Sequence, residues 1–146
     1  MHTKKQLLVI IPARSKSKSL KNKNIRKLNG HPLVAYSIEA AKNIIEKNKV
    51  IHLSTDSKKI LKICKKYHFF ENDLRPGRLS KDFSLDIEFL NYTLNFYNDK
   101  KILFEYCIIL RPTNPLRRKA LLNKSYKLFK KNKFDSLKTI FKAPKT

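Results

Sequence analysis

The sequence predicts an α/β fold, a three-layer α/β/α sandwich built on a mostly parallel sheet. Short apolar runs alternate with segments whose apolar residues recur at helical spacing, in the order β-α-β-α-(β)-α-β-α-β. Alternation of this kind places helices on the faces of a parallel sheet. The clearest run, residues 7–11, is wholly apolar and stops at Pro12, which is typical of a strand buried on both faces. The length predicts a single domain over residues 1–146.

The first half of the chain is predicted to hold two strands and two helices. After the first strand, residues 27–32 form a turn around Gly30, and the proline that ends this turn suits the start of a helix. Helices are predicted over residues 32–47 and 57–67, with a strand between them at 50–54. The residues predicted to face the core are Val34, Ile38, Ala41 and Ile45 in the first helix and Ile60, Leu61, Cys64 and Tyr67 in the second.

The second half repeats the alternation around a long irregular stretch. Residues 72–83 contain Arg75, Pro76 and Gly77, and they are predicted to form an active-site loop rather than a linker. The other predicted elements are an edge strand at 69–70, a helix at 84–98, a strand at 106–110, a helix at 117–131 and a last strand at 136–141. The residues predicted to face the core are Ile87, Leu90, Leu94 and Tyr97 in the first of these helices and Leu121, Leu122, Ser125, Leu128 and Phe129 in the second.

The composition favours some classes of protein and argues against others. A formal net charge of +23 implies attraction to polyanions, although the lysines are spread along every segment and are equally consistent with a solvated surface. No apolar stretch approaches twenty residues, so no transmembrane helix is predicted. Cys64 and Cys107 lie in apolar periodic segments and are predicted to be buried, reduced thiols of a cytoplasmic protein. No Cys/His spacing indicates a zinc site.

The loop after the first strand carries the strongest chemical signal. Open α/β sheets bind ligands where loops leave the carboxyl ends of their strands. This loop, residues 12–24, is dense in cations and hydroxyl groups, which are the groups that bind phosphate. The residues therefore favour a nucleoside triphosphate site, with a solvated basic loop as the alternative.

The same loop also carries a family resemblance. Its pattern IPAR-x-x-SK-x-L-x-x-KN resembles the signature of the acylneuraminate cytidylyltransferases, the CMP-sialic acid synthetase family. Five further blocks resemble that family in the same order and cover nearly the whole chain. They are LNGHPL at 28–33, AYSIEAA at 35–41, STDS at 54–57, LRP at 74–76 and LRPTNPLR at 110–117.

The resemblance implies a Rossmann-like nucleotidyltransferase that transfers CMP from CTP to a sialic acid-like, nonulosonic sugar acid and releases pyrophosphate. It implies Mg²⁺ as the cofactor and glycan biosynthesis as the context. Carried over by motif, the phosphate contacts are Arg14, Ser17 and Lys18, the cation at the leaving pyrophosphate is Lys23, the nucleotide pocket holds Asn24 and Arg75, and the acceptor sugar faces Arg111 and Asp86.

Several departures from the family pattern bear on activity. Lys16 and Ser19 stand where the family's loop has two glycines, which let backbone N–H groups approach phosphate closely. Asp86 falls about where the family often has a serine near the ligand, and a carboxylate there could repel an anionic acceptor. Family members are longer, and their later portion supplies the metal-binding carboxylates and the arm of a homodimer. The chain is therefore expected to be C-terminally truncated, with Mg²⁺ ligands from the missing part.

Four hypotheses follow from the sequence. The first is a cytidylyltransferase acting on sialic, legionaminic or pseudaminic acid, among which the residues do not choose. The second is a nucleotidyltransferase for Kdo or a hexose phosphate, which the SK-x-L-x-x-KN and RPTNPLR blocks disfavour. The third is a basic nucleic-acid-binding protein, although no RNA-binding signature is present. The fourth is a degenerate homologue that binds nucleotide without catalysis. At STDS, Asp56 or Ser57 is expected to cap the following helix, with catalysis by Asp56 as the alternative.

Overall fold

A computed structural model describes residues 2–17, 20–67, 71–81 and 83–140. The helices and strands of these residues alternate along most of the chain. In order they are β1 (Thr3–Pro12), β2 (Lys27–Leu28), β3 (His31–Pro32), α1 (Leu33–Lys42), β4 (Lys49–Thr55), α2 (Lys58–Cys64), β5 (Glu71–Leu74), α3 (Asp86–Asp99), β6 (Ile102–Ile109) and α4 (Lys119–Asn132). Short 3-10 turns lie at Lys23–Ile25, Lys65–Tyr67 and Gly77–Ser80.

The main sheet has the strand order β5-β4-β1-β6, and every pairing in it is parallel. In the central strand β1, Leu8 pairs with Val50 on one side and with Cys107 on the other. Because the strands are parallel, the loops that follow β1, β4, β5 and β6 all leave the same edge of the sheet. This arrangement confirms the predicted α/β fold with a parallel sheet.

Helices cover both faces of the sheet, which gives the three predicted layers. On one face, Leu7, Val9 and Ile11 of β1 pack with residues of α1, α2 and α4. On the other face, Leu8 and Ile10 pack with α3. All five of these β1 side chains are fully buried, so the continuous apolar run is explained by burial on both faces.

The helix positions were predicted well, and the helix faces less well. In α1, Val34, Ile38 and Ala41 are buried as predicted, but the helix ends at Lys42 and Ile45 is 52% exposed. The buried residues of α3 are Phe89, Thr93 and Tyr97, whereas Ile87 and Leu94 of the predicted face are exposed. In α4, Tyr126 is buried and Leu121 and Leu128 are exposed. In both α3 and α4 two overlapping apolar stripes fit the helical period, and the stripe with the larger aromatic area is the one that packs.

Several strand predictions need correction. The strand predicted at 106–110 begins earlier, at Ile102, and β5 lies at Glu71–Leu74, where a loop was predicted to begin. The edge strand predicted at 69–70 lies outside the described residues. Residues 136–140 form no strand, although a strand was predicted at 136–141. Those five residues are exposed and therefore gain no burial from an extended conformation.

The two cysteines differ in their surroundings. Cys64 is buried as predicted, and burial raises the pKa of its thiol to about 12, so it is not an available nucleophile. The prediction that Cys107 is buried was wrong, because Cys107 is exposed on β6, the edge strand of the described sheet. Among the described helices, none is both long and apolar enough to cross a membrane.

Candidate functional site

The loops at the carboxyl edge of the sheet enclose a cavity of about 250 Å³, here called the pocket. Its wall is formed by residues from the loop after β1, from the segment between β5 and α3, from the start of α3 and from the loop after β6. The sequence-predicted site residues that line it are Arg14, Ser17, Lys23, Asn24, Arg75, Asp86 and Arg111. Lys18 lies outside the described residues.

The loop after β1 is folded back on itself by Asn24. The buried side chain of Asn24 donates a hydrogen bond from Nδ2 to the Arg14 carbonyl oxygen at 2.9 Å. A 3-10 turn lies at Lys23–Ile25, and Lys23 lines the pocket together with Arg14. Arg14 donates from Nη1 to the carbonyl oxygen of Lys81 at 3.0 Å, which links this loop to the segment after β5. Two residues ten positions apart are thus held on the same wall.

Asp56 anchors the start of the same loop. Its carboxylate accepts hydrogen bonds from the Ser15 backbone N–H at 2.6 Å and from the Ser15 hydroxyl at 2.7 Å. Next to it, the Thr55 hydroxyl donates to the Ala13 carbonyl at 2.6 Å. The helix-capping role belongs to Ser57, whose hydroxyl accepts from the Ile60 N–H at 3.3 Å. Asp56 therefore does not cap α2. It links the end of β4 to the loop after β1.

Arg75 is a buried cation beside the pocket. It is only 4% exposed, its Nε donates to the Ser80 hydroxyl at 3.0 Å, and its guanidinium carbon lies 5.3 Å from the centre of the Phe89 ring. The ring face and the hydroxyl compensate part of the cost of burying the charge. The Arg75 backbone N–H donates to the Thr55 carbonyl at 2.8 Å, which fixes the residue at the end of β5.

Arg111 and Asp86, which both line the pocket, form an ion pair in which both side chains are about half exposed (51% each). Behind them, Arg117 donates from Nη2 to the Arg111 carbonyl and from Nη1 to the buried Ser37 hydroxyl, the latter at 3.1 Å. Burial lowers the pKa of the Arg117 guanidinium, which nevertheless stays charged at neutral pH. The backbone of the loop after β6 is thereby fixed to α1.

The pocket is strongly electropositive. Five of its lining side chains are cationic, and Asp86 is the one carboxylate among the described lining residues. The cations are Arg14, Lys23, Arg75, Lys81 and Arg111. Within the described ranges, no group of three or more His, Cys, Asp or Glu side chains could hold a metal ion. The arrangement is suited to binding a polyanion such as a triphosphate.

Sequence reasoning missed several contributors to the pocket. Lys81, Ser84 and Phe89 line it but carry no motif. The position of Lys81 could have been found, because residues 72–83 were predicted to be an active-site loop. Of the two predicted caps, Asp56 and Ser57, the structure confirms Ser57, and the contact of Asp56 with Ser15 was missed because it spans 41 positions of sequence. Arg117 is the last residue of the LRPTNPLR block, but no local pattern indicated its contact with the buried Ser37.

Comparison with known proteins identifies close sequence relatives. The family described as "Cytidylyltransferase" matches residues 8–145. N-acylneuraminate cytidylyltransferase of Escherichia coli is 39% identical over 129 residues, which are 88% of this chain and 29% of that protein. Pseudaminic acid cytidylyltransferase of Campylobacter jejuni is 32% identical over 139 residues, 94% of this chain and 60% of that protein. CMP-N,N'-diacetyllegionaminic acid synthase of Legionella pneumophila is 32% identical over 125 residues, 86% of this chain and 53% of that protein.

Solved structures share the fold at lower sequence identity. CMP:2-keto-3-deoxy-manno-octonic acid synthetase complexed with CTP superposes with a TM-score of 0.72 at 16% identity, covering 88% of this chain and 48% of that one. A cytidylyltransferase from Leptospira borgpetersenii superposes with a TM-score of 0.65 at 19% identity, covering 88% and 50%. The chain thus spans between 29% and 60% of the length of these relatives.

Proposed function

This chain belongs to the cytidylyltransferase family, and we propose that its pocket binds CTP and transfers CMP to a nonulosonic, sialic acid-like sugar acid with release of pyrophosphate. The observation that carries the proposal is one electropositive pocket lined by residues of the first, fifth and sixth family-like blocks. The relatives named for N-acylneuraminate, pseudaminic acid and diacetyllegionaminic acid support an acidic sugar as the acceptor class.

In the proposed reaction, an acceptor hydroxyl oxygen forms a bond to the α-phosphorus of CTP. The bond from that phosphorus to the bridging oxygen breaks, pyrophosphate leaves with the added negative charge, and the hydroxyl proton passes to solvent. Such reactions depend mainly on positioning and on cations at the developing charge. Lys23 and Arg14 are proposed to supply those cations, and Ser17 and Lys18 are proposed to hold the phosphates.

The remaining site residues are proposed to bind the cytosine of CTP and the acceptor sugar. Asn24 and Arg75 are assigned to the cytosine end, where a buried guanidinium can hold a polar base edge in a fixed orientation. Arg111 and Asp86 are assigned to the acceptor end. Their separation from Lys23 along the chain reflects the different loops that meet at the edge of the sheet.

Mg²⁺ is proposed as the cofactor, and it would neutralise phosphate charge when bound. The described residues do not form its site by themselves, because Asp86 is paired with Arg111 and Asp56 with Ser15. The protein ligands of the metal are therefore proposed to lie outside the described residues.

The first test is calorimetric titration in Mg²⁺ with CTP, ATP and a short RNA, each at two salt concentrations. Selective CTP binding that survives moderate salt supports the nucleotide site. Indiscriminate binding that weakens steeply with salt would instead support a basic nucleic-acid-binding protein, the hypothesis favoured by the charge of +23. Selective CTP binding without pyrophosphate release from CTP and an acidic sugar would identify a non-catalytic homologue.

Arg14→Ala is expected to weaken CTP binding by about tenfold to a hundredfold, the usual effect of removing a charge-assisted hydrogen bond. Arg26→Ala is the matched control, because Arg26 is an exposed arginine that does not line the pocket and its loss changes the net charge equally. Equal CTP affinity in the Arg14 variant and the wild type would remove Arg14 from the site.

Asp56→Ala is expected to weaken CTP binding by about tenfold, because the loop after β1 loses two hydrogen bonds. Asp56→Asn retains one acceptor oxygen and should fall between Ala and the wild type. Ser57→Ala, which removes the neighbouring helix cap, should lower the melting temperature without changing CTP affinity. If Asp56→Ala, like Ser57→Ala, lowered the melting temperature without changing CTP affinity, Asp56 would have no role in positioning the loop.

A further inference from the structure

The acceptor end of the pocket carries a feature that the proposed reaction does not require. Arg111, assigned there to an acidic sugar, is already paired with the Asp86 carboxylate. Every other charged side chain among the described lining residues is a cation. A carboxylate in this position competes with an anionic ligand for the same guanidinium.

The surroundings of the pair favour an exchange of partners. The Arg111 backbone is fixed, because Arg117 holds its carbonyl oxygen and the Asn114 N–H also donates to it at 3.2 Å. The Arg111 side chain is half exposed, and ion pairs with that exposure are weak. Asp86 is the first residue of α3, where the helix dipole stabilises a negative charge after its partner has left.

We propose that Asp86 is a specificity-determining residue that holds Arg111 as an internal counterion until the carboxylate of an acidic acceptor displaces it. This inference rests on the proposed function and assigns a role to Asp86 within it. In a chain with a net charge of +23, attraction alone does not distinguish one anion from another. A competing carboxylate lowers the affinity of every anion for Arg111. Only a ligand that contacts the guanidinium with good geometry then binds there.

The test uses the full chain saturated with CMP, which fills the nucleotide site without allowing turnover. N-acetylneuraminate is titrated as the acidic probe, and its methyl ester serves as the matched uncharged probe. The variants are Asp86→Ser, Arg111→Ala, the double variant, and Asp99→Asn, which removes a carboxylate from the other end of α3.

Asp86→Ser is expected to tighten binding of the acid by about two- to fivefold, the range expected from an exposed ion pair. Binding of the methyl ester should not change, and Asp99→Asn should behave as the wild type. The gain should vanish in the Arg111→Ala background, because the competition takes place at that guanidinium.

Four results would overturn the inference. They are unchanged or weaker binding of the acid by Asp86→Ser, an equal gain in Asp99→Asn, a gain that persists without Arg111, and no binding of the acid by any variant. A parallel CTP titration distinguishes failure of the Asp86 role from failure of the proposed function. Selective CTP binding together with any of these results rejects only the role of Asp86, whereas loss of CTP selectivity in the wild type rejects the proposed function and this inference with it.

Discussion

Lys23→Ala is expected to reduce the rate of pyrophosphate release by about a hundredfold to a thousandfold, the effect of removing one group that stabilises developing charge. Lys23 starts the 3-10 turn at the end of the loop after β1 and lines the pocket together with Arg14. In the proposed reaction its ammonium group lies at the departing pyrophosphate, where negative charge increases in the transition state. The measurement is pyrophosphate release from CTP with Mg²⁺ and an acidic sugar.

Lys21→Ala is the matched control for this prediction. Lys21 is an exposed lysine two positions earlier and does not line the pocket, so its loss changes the net charge without removing a pocket cation. We expect the Lys21 variant to release pyrophosphate as the wild type does, and both variants to keep the wild-type circular dichroism spectrum. Equal rates for the Lys23 variant and the wild type would exclude Lys23 from the reaction.

The parts of the fold that were predicted correctly are those determined by local pattern. The β1 run is buried on both faces, so its residues are apolar without interruption and the strand is readable from sequence. The turn around Gly30 was likewise readable, because this glycine adopts a φ of +81°, a conformation that side chains with a Cβ disfavour. The site residues were predicted for a different reason. The resemblance to the family motifs grouped them into one site, whereas no local pattern did so.

The parts that sequence did not provide depend on contacts between distant residues. Asp86 and Arg111 lie 25 positions apart, and Asp56 and Ser15 lie 41 apart. No periodicity encodes such pairs, because each side chain is compatible with several local roles. Aspartate is one of the residue types preferred at a helix N-cap, yet the adjacent Ser57 takes that role in α2. The Asp56 carboxylate instead anchors the loop after β1 through Ser15.

The buried face of α3 shows how packing decides between two stripes of equal period. Ile87 and Leu94 fit a helical stripe as well as Phe89 and Thr93 do, but the structure buries the second stripe. Tyr97 belongs to both stripes, so Phe89 is the aromatic residue that distinguishes the buried stripe from the exposed one. The Tyr97 ring meets the rings of His52, Phe96 and Phe104 with centroids 5.5, 5.2 and 5.0 Å away. Aromatic contacts of this kind exceed what an aliphatic stripe gains at the same position.

Tyr97→Ala is therefore expected to lower the free energy of unfolding by about 3–5 kcal/mol, the usual cost of deleting a fully buried aromatic ring. Tyr97→Phe keeps the ring and loses the hydroxyl contact with His52 Nδ1 at 3.1 Å, and it should cost about 1 kcal/mol. Leu94→Ala, on the exposed side of the same helix, should cost less than the alanine variant of Tyr97. Urea unfolding followed by circular dichroism measures all three.

The consequence of Tyr97 for function follows from the length of α3. The helix runs from Asp86 at the pocket to Asp99, and Phe89 in its first turn supports the buried Arg75. Because Tyr97 fixes the far end of α3 against β1 and β4, the alanine variant should also weaken CTP binding at temperatures where it remains folded. A Tyr97→Ala protein with wild-type stability would show that the aromatic cluster does not hold α3. Wild-type CTP affinity in a destabilised Tyr97→Ala protein would show that the pocket wall at Phe89 is fixed independently of the far end of the helix.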